Sequence, residues 1–99
     1  MADLDYGVYG YLLTTEEEPC PGLEIDVTCS CGGAGAHWVS QPTDKKGYWE
    51  TPFSSSQADA HDGHGMRAEQ EMLGDYTEFT FHKPVTGPVV IYTTYPKKK

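Results

Sequence analysis

The sequence predicts a mainly β fold, a small antiparallel β-sandwich or partly open barrel with one short helix. Hydrophobic and polar residues alternate with a period of two in several segments, which is typical of strands with one buried face. A single segment, 66–73, is rich in helix formers and free of proline and glycine. The 11 glycines and 7 prolines in 99 residues supply the turns between many short strands.

Two alternating segments open the chain, separated by a turn or exposed loop at 14–22. Residues 4–13 predict a strand that turns Leu4, Tyr6, Val8, Gly10 and Leu12 toward the core. The same alternation turns Tyr9 and Tyr11 outward. Residues 23–31 predict a half-buried strand, antiparallel to the first, with core-facing Leu23, Ile25, Val27, Cys29 and Cys31.

The middle of the chain predicts shorter elements. Residues 36–40 and 48–53 are short strand candidates. Residues 54–65 are small, polar and rich in glycine, which predicts a mobile loop. Residues 66–73 predict a helix of about two turns that ends at Gly74.

The last third predicts a β-hairpin made of residues 75–83 and 89–95, with a turn at 84–88. Its second strand is β-branched and aromatic throughout, so we expect it to be covered on both faces. Residues 1–96 are therefore predicted to form a single antiparallel β domain, and 97–99 a basic tail.

Composition and charge exclude several classes. The chain carries 15 acidic residues against 7 Lys and Arg, a formal net charge of −8, which argues against direct nucleic-acid binding. No apolar run approaches the ~18 residues of a membrane span. Three cysteines and a start without a leader pattern predict reduced thiols in the cytoplasm. A mature secreted fragment stays open as an alternative.

The acidity is local, because no Lys or Arg precedes Lys45. Tyrosines supply rigid contact area, and carboxylates steer basic partners. We therefore predict a non-enzymatic protein-interaction module that binds a basic patch of a partner protein. Small acidic β modules of this kind also occur as virus- or phage-type accessory proteins. The predicted binding surface comprises Asp5, Tyr9, Tyr11, Glu16, Glu17, Glu18, Glu24 and Asp26.

Two other classes stay open, a structural or assembly subunit that forms a homo-oligomer and a zinc protein. Zinc favours four Cys or His ligands in a tetrahedron. The candidate ligands are Cys20, Cys29, Cys31, His37, His61 and His64. The thiols of Cys29 and Cys31 share the apolar face of their strand, so we favour core positions for them over ligand roles. No motif predicts catalytic residues, and no cofactor is expected outside the zinc alternative.

Overall fold

Seven strands in two sheets and a single short helix make up the part of the chain that the computed structural model describes, residues 4–29 and 36–94. The predicted mainly β sandwich is confirmed, and the two sheets do not close into a barrel. The strands are β1 (Gly7–Thr14), β2 (Asp26–Cys29), β3 (Ala36–Val39), β4 (Tyr48–Pro52), β5 (Gly65–Gln70), β6 (Asp75–Thr80) and β7 (Val85–Thr93), and the helix α1 is Ser55–His61.

The core lies between a three-stranded sheet, ordered β4-β1-β7, and a four-stranded sheet, ordered β3-β2-β5-β6. Every second residue of the inner strands is buried, as the period of two predicts. The three-stranded sheet contributes Val8, Leu12, Trp49, Val89 and Ile91, and the four-stranded sheet contributes Val27, Cys29, Met66 and Ala68. The outer faces of the two sheets therefore point in opposite directions.

The first strand is the centre of the three-stranded sheet. β1 pairs with β4 in antiparallel and with β7 in parallel orientation. The prediction that it pairs with the next strand along the chain is wrong, because β2 belongs to the other sheet. Gly10 allows the close approach of β1 and β7, since a Cβ at this position would overlap the carbonyl group of Val89.

The predicted C-terminal hairpin is also wrong. β6 pairs with β5, and β7 pairs with β1 in the opposite sheet. Residues 81–84 carry the chain between the sheets, with Phe81 fully buried at the crossing. One hydrogen bond joins the sheets along this side, from the Thr77 hydroxyl to the Val90 carbonyl oxygen at 2.7 Å. β7 is not covered on both faces, because Tyr92 is 47% exposed.

The helix lies where a mobile loop was predicted. Ser54 caps α1: its hydroxyl accepts a hydrogen bond from the backbone N–H of Gln57 at 3.1 Å. The Gln57 side chain accepts one from the backbone N–H of Ser54 at 2.9 Å. This reciprocal capping box satisfies two donors that a helix start leaves open, and it stabilises a helix of 7 residues.

The predicted helix at 66–73 is instead strand β5 and the turn that follows it. Met66, Ala68 and Gln70 are buried, whereas Arg67 and Glu69 point outward, which is a strand alternation. Pairing with β2 on one side and β6 on the other outweighs the helix preference of these residues. Gly74 ends the turn with a φ of 78°, a conformation that favours glycine.

Asp3, Cys31 and the predicted basic tail at 97–99 lie outside the described residues. Within the described ranges, no helix combines the length and apolar character that crossing a bilayer requires.

Candidate functional site

The predicted binding surface is divided between the two outer faces of the sandwich. Tyr9 and Tyr11 lie on the outer face of the three-stranded sheet, since they alternate with buried Val8 and Leu12. Asp26 belongs to β2 and so lies on the opposite face. The prediction that these tyrosines share a face with Glu24 and Asp26 is therefore wrong, because it depended on pairing between the first two strands.

The other predicted acidic residues are exposed and lie in segments outside the strands. Asp5 precedes β1 and is exposed. Glu16, Glu17 and Glu18 form an exposed turn after β1. The Thr14 hydroxyl organises that turn by accepting hydrogen bonds from the backbone N–H groups of Glu16 and Glu18 at 3.1 and 3.0 Å. The carboxylates of this turn are therefore exposed to solvent, whereas Asp26 lies on strand β2.

Two carboxylates face each other across neighbouring strands of the four-stranded sheet. Asp26 of β2 stands opposite Glu69 of β5 in the antiparallel register. Asp26 also pairs with Val39 of β3, and Glu69 also pairs with Tyr76 of β6, so the four residues form one row across the sheet. Val39 and Tyr76, at the ends of this row, are 49% and 51% exposed. Like charges directly opposite each other destabilise a sheet, in which favourable cross-strand pairs contribute ~0.2–1 kcal/mol each. We call Val39, Asp26, Glu69, Tyr76 and Glu78 the acidic face.

Cations on the acidic face are few and already engaged. Arg67 contacts Glu78 at 3.4 Å and lies 4.2 Å from the centre of the Tyr76 ring. The His37 imidazole Nε2 lies 3.8 Å from Asp26 and is charged only when protonated. Among the described residues, no cationic side chain comes within 4.0 Å of the Glu69 carboxylate. The row therefore keeps an excess of negative charge beside two exposed apolar surfaces.

A different kind of site occupies the outer face of the three-stranded sheet. Tyr9, Tyr11 and Tyr48 form a half-buried aromatic floor, with Tyr48 in contact with both of the others. The ring centres of Tyr9 and Tyr48 are 6.1 Å apart, and those of Tyr11 and Tyr48 are 5.6 Å apart. Together with Glu50 they line an open cleft of about 920 Å³, which we call the tyrosine cleft.

Glu50 is held in place at the floor of the tyrosine cleft. The Tyr48 hydroxyl donates a hydrogen bond to Glu50 Oε1 at 2.8 Å. Burial, reinforced by this carboxylate, raises the pKa of Tyr48 well above its usual value. Neither residue is part of the predicted binding surface, although the alternation of Tyr48, Trp49 and Glu50 places the first and third on one side of a strand.

A short turn lines one end of the tyrosine cleft. The Asp44 carboxylate accepts hydrogen bonds from the backbone N–H groups of Lys46 and Tyr48 at 2.8 and 3.0 Å. These two bonds lower the pKa of Asp44. They fix the turn that presents the exposed side chains of Lys45 and Lys46 to the cleft. The cleft is thus basic at this end and carries Glu50 on its floor.

The six candidate zinc ligands are not brought together where the structure describes them. Within the described residues, no group of three or more His, Cys, Asp or Glu side chains has the arrangement of a metal site. Cys29 is disulfide-bonded, so the predicted reduced thiol is wrong at this position. Cys20 is buried, and burial raises the pKa of its thiol, which disfavours the thiolate that binds metals.

The histidines of the candidate set have other neighbours. His61, at the end of α1, packs edge-on against Trp38 with 5.3 Å between ring centres. Its ring centre lies 6.2 Å from that of His64. Lys83 Nζ contacts the carboxylate of Asp59 at 2.8 Å and thereby ties α1 to the segment after β6. His61 and Asp59 therefore contribute to the packing of α1 against β3 and the segment after β6.

Comparison with protein-family models, curated proteins and solved structures yields no match to this chain.

Proposed function

We propose that this protein is a small non-enzymatic interaction module whose acidic face binds a basic surface of a partner protein. The observation that supports this most directly is the register of Asp26 against Glu69. Sequences that specify a fold avoid like charges in this arrangement, and departures from such local rules concentrate at functional sites. A Lys or Arg side chain of a partner, placed between the two carboxylates, would remove the repulsion.

The neighbours of the carboxylate pair supply the apolar part of an interface. Val39 and Tyr76 lie at the two ends of the row, and each leaves about half of its surface exposed. Exposed aromatic and aliphatic groups beside charges are typical of recognition surfaces, in which the apolar groups contribute affinity and the charges contribute steering. The net charge of −8 extends that steering over the whole molecule.

A blocked peptide rich in Lys and Arg tests the proposal by NMR titration of the isotope-labelled protein. We expect saturable shifts at Asp26, Glu69 and Tyr76, and weaker binding at physiological than at low ionic strength. The Glu69→Gln variant should bind about threefold or more weakly. That factor corresponds to an interaction of ~0.7 kcal/mol.

Glu16→Gln is the matched control, since it removes the same charge from an exposed turn away from the acidic face. An equal loss of affinity in both variants would mean that only net charge matters, and it would contradict a specific site. Binding that is unaffected by salt would contradict the electrostatic mechanism.

A further inference from the structure

We propose that the tyrosine cleft is a second, independent binding site, which takes an extended proline-containing peptide segment carrying one basic side chain. The site lies on the outer face opposite the acidic face and shares no residue with it. It therefore does not depend on the function proposed above.

The shape of the cleft favours a single extended segment over a folded partner or a second copy. The three-stranded sheet is about 14 Å wide, because neighbouring strands lie about 4.8 Å apart. A stable interface between folded proteins buries about 800 Å² on each partner. The longest strand of this sheet has 9 residues and is about 30 Å long, so the face covers about 400 Å², about half of that area, whereas it accommodates one peptide chain along β1. The net charge of −8 also opposes docking of a second copy.

The backbone pairing of β1 determines which extended conformation fits. β1 is hydrogen-bonded to β4 on one side and to β7 on the other, so a peptide that lies over β1, between Tyr9 and Tyr11 and the ring of Tyr48, meets no free strand edge, although β4 itself is an outer strand of the sheet. A peptide lying there cannot add to the sheet as a further strand, and its backbone N–H groups would lose water without gaining partners. Proline has no backbone N–H, so a polyproline II segment avoids this cost.

The spacing of the tyrosines matches such a segment. Tyr9 and Tyr11 lie two residues apart on one strand, which separates their side chains by about 7 Å. A polyproline II chain advances about 6 Å in two residues. Grooves lined by aromatic rings are a recurrent binding surface for this conformation. Tyr9 and Tyr11, both packed against Tyr48, form such a groove.

The charges of the cleft determine where a basic side chain of the peptide can bind, and they thereby determine the direction of the peptide. Glu50 is held at the floor by the hydroxyl of Tyr48 and can receive an Arg or Lys from the ligand. Lys45 and Lys46 at the end lined by the turn repel that basic group, so it must lie toward Glu50. A peptide with one basic residue at a fixed distance from its prolines would therefore bind in one orientation.

The test uses three blocked peptides of the sequences APPLPPRA, AAALAARA and APPLPPQA, titrated into the whole protein by NMR. We expect APPLPPRA to shift Tyr9, Tyr11 and Tyr48 in a saturable manner and to bind more tightly than both others. Tyr11→Ala should weaken it about tenfold or more. Tyr76→Ala on the acidic face is the matched control and should change binding less than about twofold.

If Tyr11→Ala fails to fold, Glu50→Gln and Tyr48→Phe test the site instead, because both keep the shape of the cleft. We expect Glu50→Gln to abolish the preference for the arginine peptide over the glutamine peptide, and Tyr48→Phe, which leaves the carboxylate charged but no longer held in place, to reduce that preference. Equal binding of AAALAARA, shifts confined to the acidic face, or no saturable shift would overturn the proposal. Shifts of the same tyrosines on changing the protein concentration alone would identify a second copy as the occupant and would also overturn it.

Discussion

At the scale of single residues, Asp44 shows how one exposed carboxylate organises the end of the tyrosine cleft. It accepts two backbone hydrogen bonds, and these lower its pKa. A carboxylate whose pKa is lower in the folded than in the unfolded chain stabilises the fold at pH values above its unfolded pKa, which is about 3.9 for Asp. That stabilisation disappears as the pH falls through the folded pKa.

We therefore expect Asp44→Ala to lower the free energy of unfolding at neutral pH and to matter less in acid. The difference between the variant and the natural chain should shrink as the pH falls below about 4, because the carboxylate becomes protonated in both states. Urea denaturation at several pH values measures it. A difference that stays constant with pH would show that the charge of Asp44 is not what fixes the turn.

Sequence patterns predict which side of a strand a residue occupies, but not which other residues stand beside it. Alternation was sufficient to place Tyr9 and Tyr11 on an outer face. It could not place Tyr48 next to them, since that contact requires the pairing of β1 with β4, more than 30 residues apart in the chain. The position of Asp26 on the opposite face from the tyrosines could not be predicted for the same reason, because it depends on which strands pair.

At the scale of elements, α1 depends on its first residues. A helix of 7 residues is too short to be stable by propensity alone, so the capping box of Ser54 and Gln57 makes a large share of its stability. Replacement of a capping Ser by Ala typically costs ~1 kcal/mol. We expect Ser54→Ala to lower the free energy of unfolding by that amount, as measured by chemical denaturation.

Ser55→Ala is the matched control for the cap. Ser55 is the first helical residue and takes no part in the capping box, so the same chemical change there should cost less than about 0.5 kcal/mol. Equal costs at the two positions would contradict the assigned helix start.

The structure has a helix within 54–65, where a loop was predicted, and a strand within 66–73, where a helix was predicted, and each difference has its own physical cause. A capping box signals a helix start even where the composition is that of a loop, and the pair Ser54 and Gln57 was present in the sequence. Residues 66–73 have helix-forming side chains, but the segment pairs on both sides as β5. Helix propensities differ by less than about 1 kcal/mol per residue for such side chains, so pairing with two neighbouring strands outweighs them.

The contact between β1 and β7 gives a second prediction at this scale. We expect Gly10→Ala to destabilise the fold by about 3 kcal/mol, at the upper end of what overpacking costs, because its Cβ would overlap the backbone of Val89. Gly65→Ala on β5 meets no atom within 4 Å and should change stability by about 1 kcal/mol or less. Thermal unfolding of both variants measures the difference. Similar behaviour would mean that β1 and β7 are not in close contact.

At the scale of the whole molecule, the fold class was predictable and the order of strands was not. Periodicity and turn residues are local signals, and they were enough for a mainly β fold with several short strands. The parallel pairing of β1 with β7 joins the two ends of the chain, and no local signal announces it. The two predicted neighbour pairs, the first two strands and the C-terminal hairpin, instead belong to different sheets. The composition of the candidate sites depends on this strand order, because each outer face combines residues from strands that are distant in sequence. It could therefore not be predicted either.

The distribution of charge over the molecule leads to a prediction that links stability to the proposed function. Glu69 stands opposite Asp26, and the chain carries a net charge of −8, so removal of one charge here relieves both local and overall repulsion. We expect Glu69→Gln to raise the free energy of unfolding by ~0.2–1 kcal/mol at low ionic strength, and the gain to shrink as salt is added. Glu16→Gln controls for the loss of net charge alone. Because the same change at Glu69 should weaken binding to a basic peptide, stability and binding would move in opposite directions. A Glu69→Gln variant that is less stable than the natural chain would show that the carboxylate pair supports the fold, and this result would contradict the proposal that the acidic face is a binding site.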